Sequence, residues 1–127
     1  MQTPRSTVGS EEIYWVVTVE VSPGQIDRFR RIVADIVAAT KDEPGTLQYE
    51  FHASPDQRTV DVCERYRNSD AVVAHVSQTF GPKFSSDFLA IAKPTRFTVY
   101  GTPSPEAKKV LAAFDPIYMT PLDGFCR

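Results

Sequence analysis

Apolar and polar positions alternate where the chain first becomes patterned. From Ile13 to Val21, the residues Ile13, Trp15, Val17, Val19 and Val21 share one face, and Tyr14, Val16, Thr18 and Glu20 share the other. A period of two is the signature of a strand, and β-branched and aromatic residues suit a pleated sheet. Both faces are apolar near the start, so this strand is expected to be covered on both sides.

The period then changes. Ser22-Pro23-Gly24-Gln25 reads as a helix start, with Ser22 as N-cap, Pro23 in the first helical position and Gln25 completing a capping box. Ile26, Phe29, Val33 and Ile36, flanked by Ile32 and Val37, make one apolar stripe at helical spacing. Pro44-Gly45 ends that segment. Thr46 to Ala53 and Arg58 to Tyr66 alternate again, joined by the turn Ser54-Pro55-Asp56-Gln57, and read as a hairpin. Leu47, Tyr49 and Phe51 share a face of the first of these strands. Val60, Val62, Glu64 and Tyr66 share a face of the second.

Asn68 or Ser69 is expected to cap a second helix running to about Thr79. Gly81-Pro82 should break it, and Phe84, Phe88, Ile91 and Ala92 give the next helical stretch its apolar face. Lys93-Pro94 stops that stretch, and Thr95 to Gly101 reads as a fourth strand. The order β-α-β-β-α-β predicts an α+β chain of ferredoxin-like type, with helices on one face of an antiparallel sheet. A further helix follows, capped by Ser104 with Pro105 in its first turn and Val110, Leu111 and Phe114 on its apolar side. The last segment carries Ile117, Tyr118, Met119, Leu122 and Phe125. A free tail this apolar would expose a large patch, so it is expected to dock on its own domain or on a neighbouring subunit. The chain thus divides into a loose N-terminal tail (1–12), a ferredoxin-like unit (13–101) and a C-terminal helix with a docking tail (102–127).

Composition narrows the function. The 127 residues are 42% hydrophobic and 24% charged, with a net charge of −2. That is ordinary globular usage for one domain. The charge argues against nucleic acid, and Arg28, Arg30 and Arg31 read as a solvated helix face. No stretch approaches the ~20 apolar residues of a membrane span, and residues 1–12 lack the apolar core of a signal peptide, so a cytoplasmic protein is expected. Cys63 reads as a small core residue and Cys126 as a thiol near the C-terminus, with no spacing that supports a disulfide. No two His residues have metal-ligand spacing, and there is no phosphate loop or nucleophile elbow. Because helices cover one sheet face only, the apolar second face predicts a two-fold dimer packed sheet to sheet, the alternative being a monomer whose C-terminal tail covers that face.

One ordered set of residues resembles a known family. Glu43-Pro44-Gly45-Thr46-Leu47-Gln48-Tyr49-Glu50, then Glu64-Arg65-Tyr66, then Ser69-Asp70-Ala71 and His75 resemble the antibiotic biosynthesis monooxygenase family. The resemblance covers roughly Ile13 to Gly101, and Leu122-Asp123-Gly124-Phe125 looks like the tail of longer members. It implies a dimeric α+β barrel. It also implies chemistry on quinols, anthrones or related phenols without flavin or metal, in which the substrate anion itself reduces oxygen. Other relatives degrade haem or isomerise small metabolites. Tyr66 stands where many members have Trp, and His75 matches a helix His. The family's strand Asn is replaced by Val17 and its second helix His by Phe80, which argues against haem cleavage.

The candidate site follows from these residues. His75 lies at the edge of the arc formed by Val72, Val73, Val76 and Phe80, and an imidazole there suits proton removal from a phenol. Glu64, on an apolar strand face, would orient His75, act as a base, or pair with Arg65 or Arg96. Tyr66, Tyr49 and Trp15 are read as ring-binding residues, with Phe80 and Phe84 as further lining; His52 is read as facing solvent or an interface. The expectation is a cofactor-independent monooxygenase acting on a small aromatic or quinol-type compound. The alternatives are a non-oxidative small-metabolite isomerase, a ligand-binding dimer module, or a purely structural module.

Overall fold

The computed structural model describes residues 2–127. Its first strand, β1 (Arg5–Ser6), lies in the segment read as a loose tail. The main sheet begins with β2 (Ile13–Val21), followed by α1 (Ile26–Thr40), β3 (Thr46–Ala53) and β4 (Thr59–Tyr66). Next come α2 (Ser69–Ala74), a π-helical turn (His75–Phe80), α3 (Gly81–Ile91) and β5 (Ala92–Tyr100). The chain ends with α4 (Pro105–Leu111), a short 3₁₀ turn, β6 (Ile117–Met119) and β7 (Phe125–Cys126). Five strands pair in the order β3-β4-β2-β5-β6. The expected α+β, ferredoxin-like arrangement is present, as an open sheet rather than a closed barrel.

The alternation in β2 and β4 translates directly into burial. Ile13, Trp15, Val19 and Val21 are buried with Val60, Val62, Glu64 and Tyr66 on the helix side. On the other side Tyr14 is 47% exposed, so this single chain leaves the second face of β2 uncovered. Two apolar clusters fill the helix side. One gathers Phe29, Ile36, Phe88 and Ile91 under α1 and α3; the other gathers Trp15, Val72, Phe97 and Leu111 under α2 and α4. Val17 packs against both.

Several local expectations need correction. Ser22 does not cap α1 and Pro23 is not helical: Gly24 has φ +77°, which no right-handed helix admits, so Ser22 to Gln25 form a turn. The helix starts at Ile26, and Gln25 makes no side-chain cap bond. Gly81-Pro82 does not separate two helices. Pro82 lacks an N–H and would crowd the carbonyl four residues back, and the chain relieves this by widening into the π-helical turn and continuing. The Gly81 N–H bonds the Val76 carbonyl, five residues back, and a Cβ at Gly81 would collide with that oxygen. The strand expected from Thr95 starts at Ala92 and contains Pro94; the β2–β5 register shifts between Thr18 and Val19, a bulge that accommodates the missing donor. Cys63 is on the open sheet face, not in the core, and is only half-buried.

Other expectations hold. Asn68 caps α2 by accepting from the Ala71 N–H at 3.0 Å, and Ser104 caps α4 by accepting from Ala107 at 3.1 Å. The C-terminal tail is tied down by backbone pairing, β6 parallel to β5 and β7 with β1, but Ile117, Met119, Leu122 and Phe125 stay exposed on this chain. No helix among the described residues is long and apolar enough to cross a membrane.

Candidate active site

Strand register assembles the floor of the site. Tyr49 of β3, Glu64 of β4 and Trp15 of β2 are direct cross-strand neighbours in one row, facing the helices. A carboxylate between two aromatics is costly to bury unless it finds partners. Glu64 finds Tyr66, whose hydroxyl donates to its Oε1 at 2.5 Å. It does not pair with arginine, as the sequence allowed: Arg65 points to the open face and binds Glu12 at 3.2 Å.

The roof is supplied by the π-helical turn. His75, its first residue, is 2% exposed. Its Nδ1 lies 3.0 and 3.1 Å from the two carboxylate oxygens of Glu43, and its Nε2 lies 3.6 Å from Glu64 Oε1. Tyr49, Tyr66 and Phe80 surround the imidazole with ring centroids 5.1, 5.5 and 6.2 Å away. Glu43 comes from the loop after α1. Gly45 brings that loop against α2, because a Cβ there would stand 2.6 Å from the Ala71 Cβ.

The two carboxyls have opposite characters. Burial alone would raise Glu43, but hydrogen bonds from His75, Thr46 and Thr79 outweigh it and hold the carboxyl below its ordinary value. Burial pushes Glu64 up, and the nearby His75, the Tyr66 hydroxyl and the Trp15 indole do not fully offset it. Burial also pushes the Tyr49 and Tyr66 phenols up, with the Glu64 carboxylate adding to both. The site therefore sets two carboxyls against opposite nitrogens of one imidazole, Glu43 held below and Glu64 pushed above the ordinary carboxylate value.

Beside this cluster is a cavity of about 70 Å³. His75, Glu64 and Tyr49 form its polar end, and apolar side chains including Trp15, Phe80, Phe88, Phe97 and Phe114 form the rest. Five of the expected site residues, His75, Glu64, Trp15, Tyr49 and Phe80, thus meet at one cavity. Tyr66 and Phe84 do not line it: Tyr66 is fully buried behind Glu64, and Phe84 packs into the core under α1 and α3. Val17, at the position of the absent Asn, lines it as an apolar group. His52 is exposed and remote from the site, as expected.

Sequence reasoning missed two contributions. Glu43 was in view only as the first residue of the run that resembles the family and was given no role; it meets His75 across 32 positions of sequence, which no local pattern signals. Leu111 and Phe114 close the cavity from the C-terminal helix, and their apolar spacing was the signal there. Glu43 and Glu64 approach opposite ring nitrogens of His75, so the three groups do not converge on a point as metal ligands would. Among the described residues no group of three His, Cys, Asp or Glu side chains is placed to hold a metal ion.

An open, mostly antiparallel sheet with helices on one face, carrying a buried carboxyl–imidazole cluster beside an apolar cavity, defines a small α+β fold with a built pocket. Residues 13–81 match the sequence profile of the antibiotic biosynthesis monooxygenase family, and the chain belongs to that family. Among solved structures, it is similar to MupZ from Pseudomonas fluorescens, at 21% identity over 93% of this chain and 96% of that one, with a TM-score of 0.79. It is also similar to SnoaB from Streptomyces nogalater, a cofactor-independent oxygenase, at 14% identity over 75% and 96% of the two chains, with a TM-score of 0.64. A conserved protein from Methanosarcina mazei Go1 matches at 15% identity over 70% and 90%, also with a TM-score of 0.64. At these identities the structural likenesses establish the fold alone. No curated protein matches the chain significantly.

Proposed function

We propose that this protein is a cofactor-independent monooxygenase acting on a small phenolic or quinol-type compound. The observation that carries the reading is a buried imidazole, backed by a carboxylate on one nitrogen, at the polar end of an otherwise apolar cavity. His75 takes the proton of a phenolic hydroxyl, leaving an electron-rich anion. The anion passes one electron to oxygen, and the resulting radical pair joins at a ring carbon to form a peroxide, which takes up a proton. Loss of water from that hydroperoxide leaves a carbonyl, so one oxygen atom enters the substrate and the other leaves as water. Glu64, on the cavity lining and pushed upward by burial, is the group placed to protonate the departing oxygen.

The cavity volume bears on the substrate. About 70 Å³ is roughly half of the ~150 Å³ that encloses benzene in an engineered protein cavity. Leu89, 43% exposed, stands at the cavity wall. At this size even a single ring enters only if wall side chains such as Leu89 move outward, and a fused tricycle needs still more room. We further propose that the protein works as a homodimer, with a second copy on the open sheet face where Tyr14, Ile117 and Met119 are each about half exposed.

The closeness of Glu64, whose carboxyl burial pushes upward, to His75 at 3.6 Å favours a second reading, isomerisation. An acid and a base this close can move a proton between a carbon and a carbonyl oxygen without oxygen gas. Incubating the protein with a panel of quinols, catechols and anthrones under ¹⁸O₂, and in parallel without oxygen, separates the two. Incorporation of one labelled atom supports the monooxygenase; turnover that persists without oxygen rejects it in favour of the isomerase.

A further inference from the structure

The cavity can use His75 as a base only if its Nε2 carries a lone pair rather than a proton. Nothing on the cavity side enforces this. Glu64 Oε1 is 3.6 Å from Nε2, too far for a hydrogen bond, and it already accepts the Tyr66 hydroxyl. The enforcement comes from the other side of the ring. Both oxygens of Glu43 lie within 3.1 Å of Nδ1, and a carboxylate can only accept there. Glu43 is itself held: the Thr46 hydroxyl donates to its Oε1 at 2.6 Å. Its loop is fixed by the Arg67 N–H, which donates to the Gly45 carbonyl at 2.9 Å, and by the close seating of Gly45 on Ala71, in the helix that leads into His75.

We infer that Glu43 is the positioning residue of this site: it holds His75 as the Nδ1–H tautomer, so that Nε2 presents its lone pair to the cavity, and it stabilises the imidazolium formed on proton uptake. The inference rests on the proposed use of His75 as a proton acceptor, but its first consequence is a property of the protein alone. A base backed in this way loses function when the carboxylate becomes an amide, because the amide can offer N–H to Nδ1 and select the wrong tautomer.

The test is long-range ¹H–¹⁵N correlation spectroscopy of the histidine rings in the ligand-free protein at mildly alkaline pH. Only His52 and His75 contribute, and a His52→Gln variant assigns them. The expected result is a proton on Nδ1 of His75 in the wild type, moving to Nε2 in Glu43→Gln and staying on Nδ1 in Glu43→Asp and Glu64→Gln. A purely structural Glu43 would alter thermal stability without moving the proton. Nε2–H in the wild type, or an unchanged tautomer in a folded Glu43→Gln variant, would overturn the inference. So would a tautomer that follows Glu64→Gln instead. Because no substrate is used, this outcome is independent of whether the protein consumes oxygen. Where a substrate is turned over, Glu43→Gln is expected to lower kcat by about 100-fold or more with little change in KM.

Discussion

The Tyr66 hydroxyl donates to Glu64 Oε1 at 2.5 Å, from a position two residues along the same face of β4. Both side chains are buried, and Tyr66 lies outside the cavity wall. Its work is therefore to satisfy the carboxyl rather than to touch a ligand. Tyr66→Phe is expected to cost about 1–2 kcal/mol in urea unfolding, the range for a lost buried hydrogen bond. The affinity of a small phenol for the cavity should be unchanged. A large loss of affinity without destabilisation would return Tyr66 to the binding surface.

Glu43 and Glu64 should leave opposite marks on stability against pH. Glu43 is held below the ordinary value of 4.5, so its contribution is present above that pH and is lost as pH falls through its folded value. Glu64 is raised above 4.5, so its contribution is full below that pH and is lost as pH rises through its folded value. Glu64 faces His75, Tyr66, Trp15 and, more distantly, Glu43. Glu64→Gln keeps an oxygen for the Tyr66 hydroxyl but cannot ionise. Its melting temperature is expected to gain on the wild type as pH rises, whereas Glu43→Gln should gain on the acid side. Melting curves that run parallel to the wild type across pH would contradict this assignment.

The π-helical turn depends on Gly81. A Cβ at this position meets the Val76 carbonyl oxygen that accepts its own N–H. Gly81→Ala is therefore expected to destabilise the protein by about 1–3 kcal/mol, the range for overpacking, despite the better helix propensity of alanine. Thermal unfolding measures this. A stabilised variant would show that the turn is not constrained there.

Much of this structure was legible because its periods were clean. The faces of β2 and β4 were readable from alternation alone, and that alternation placed Glu64 among buried apolar residues. The caps Asn68 and Ser104 were readable from side-chain chemistry. The start of α1 was not, because Pro23 is equally at home in a turn and only the left-handed Gly24 decides between them. The π-helical turn was hidden because proline signals a break, whereas a widened turn absorbs it. Glu43 was hidden for a different reason: it meets His75 across 32 positions of sequence, through loop geometry that no local pattern encodes.

The dimer has its own test. Tyr14, Ile117 and Met119 are exposed on the open sheet face. In sedimentation the wild type is expected to run as two copies, and Ile117→Glu as one, since a buried unpaired carboxylate disfavours association. A wild type that sediments as a single chain at high concentration would contradict the pairing.

The most direct test of the central claim is oxygen uptake by the purified protein with single-ring quinols and catechols, measured beside His75→Ala. Uptake that requires the protein and falls by about 100-fold or more in the variant is the expected result, in the range for loss of a general base. Uptake that is undiminished in a folded His75→Ala variant would contradict the account, because the imidazole would then have no part in the chemistry.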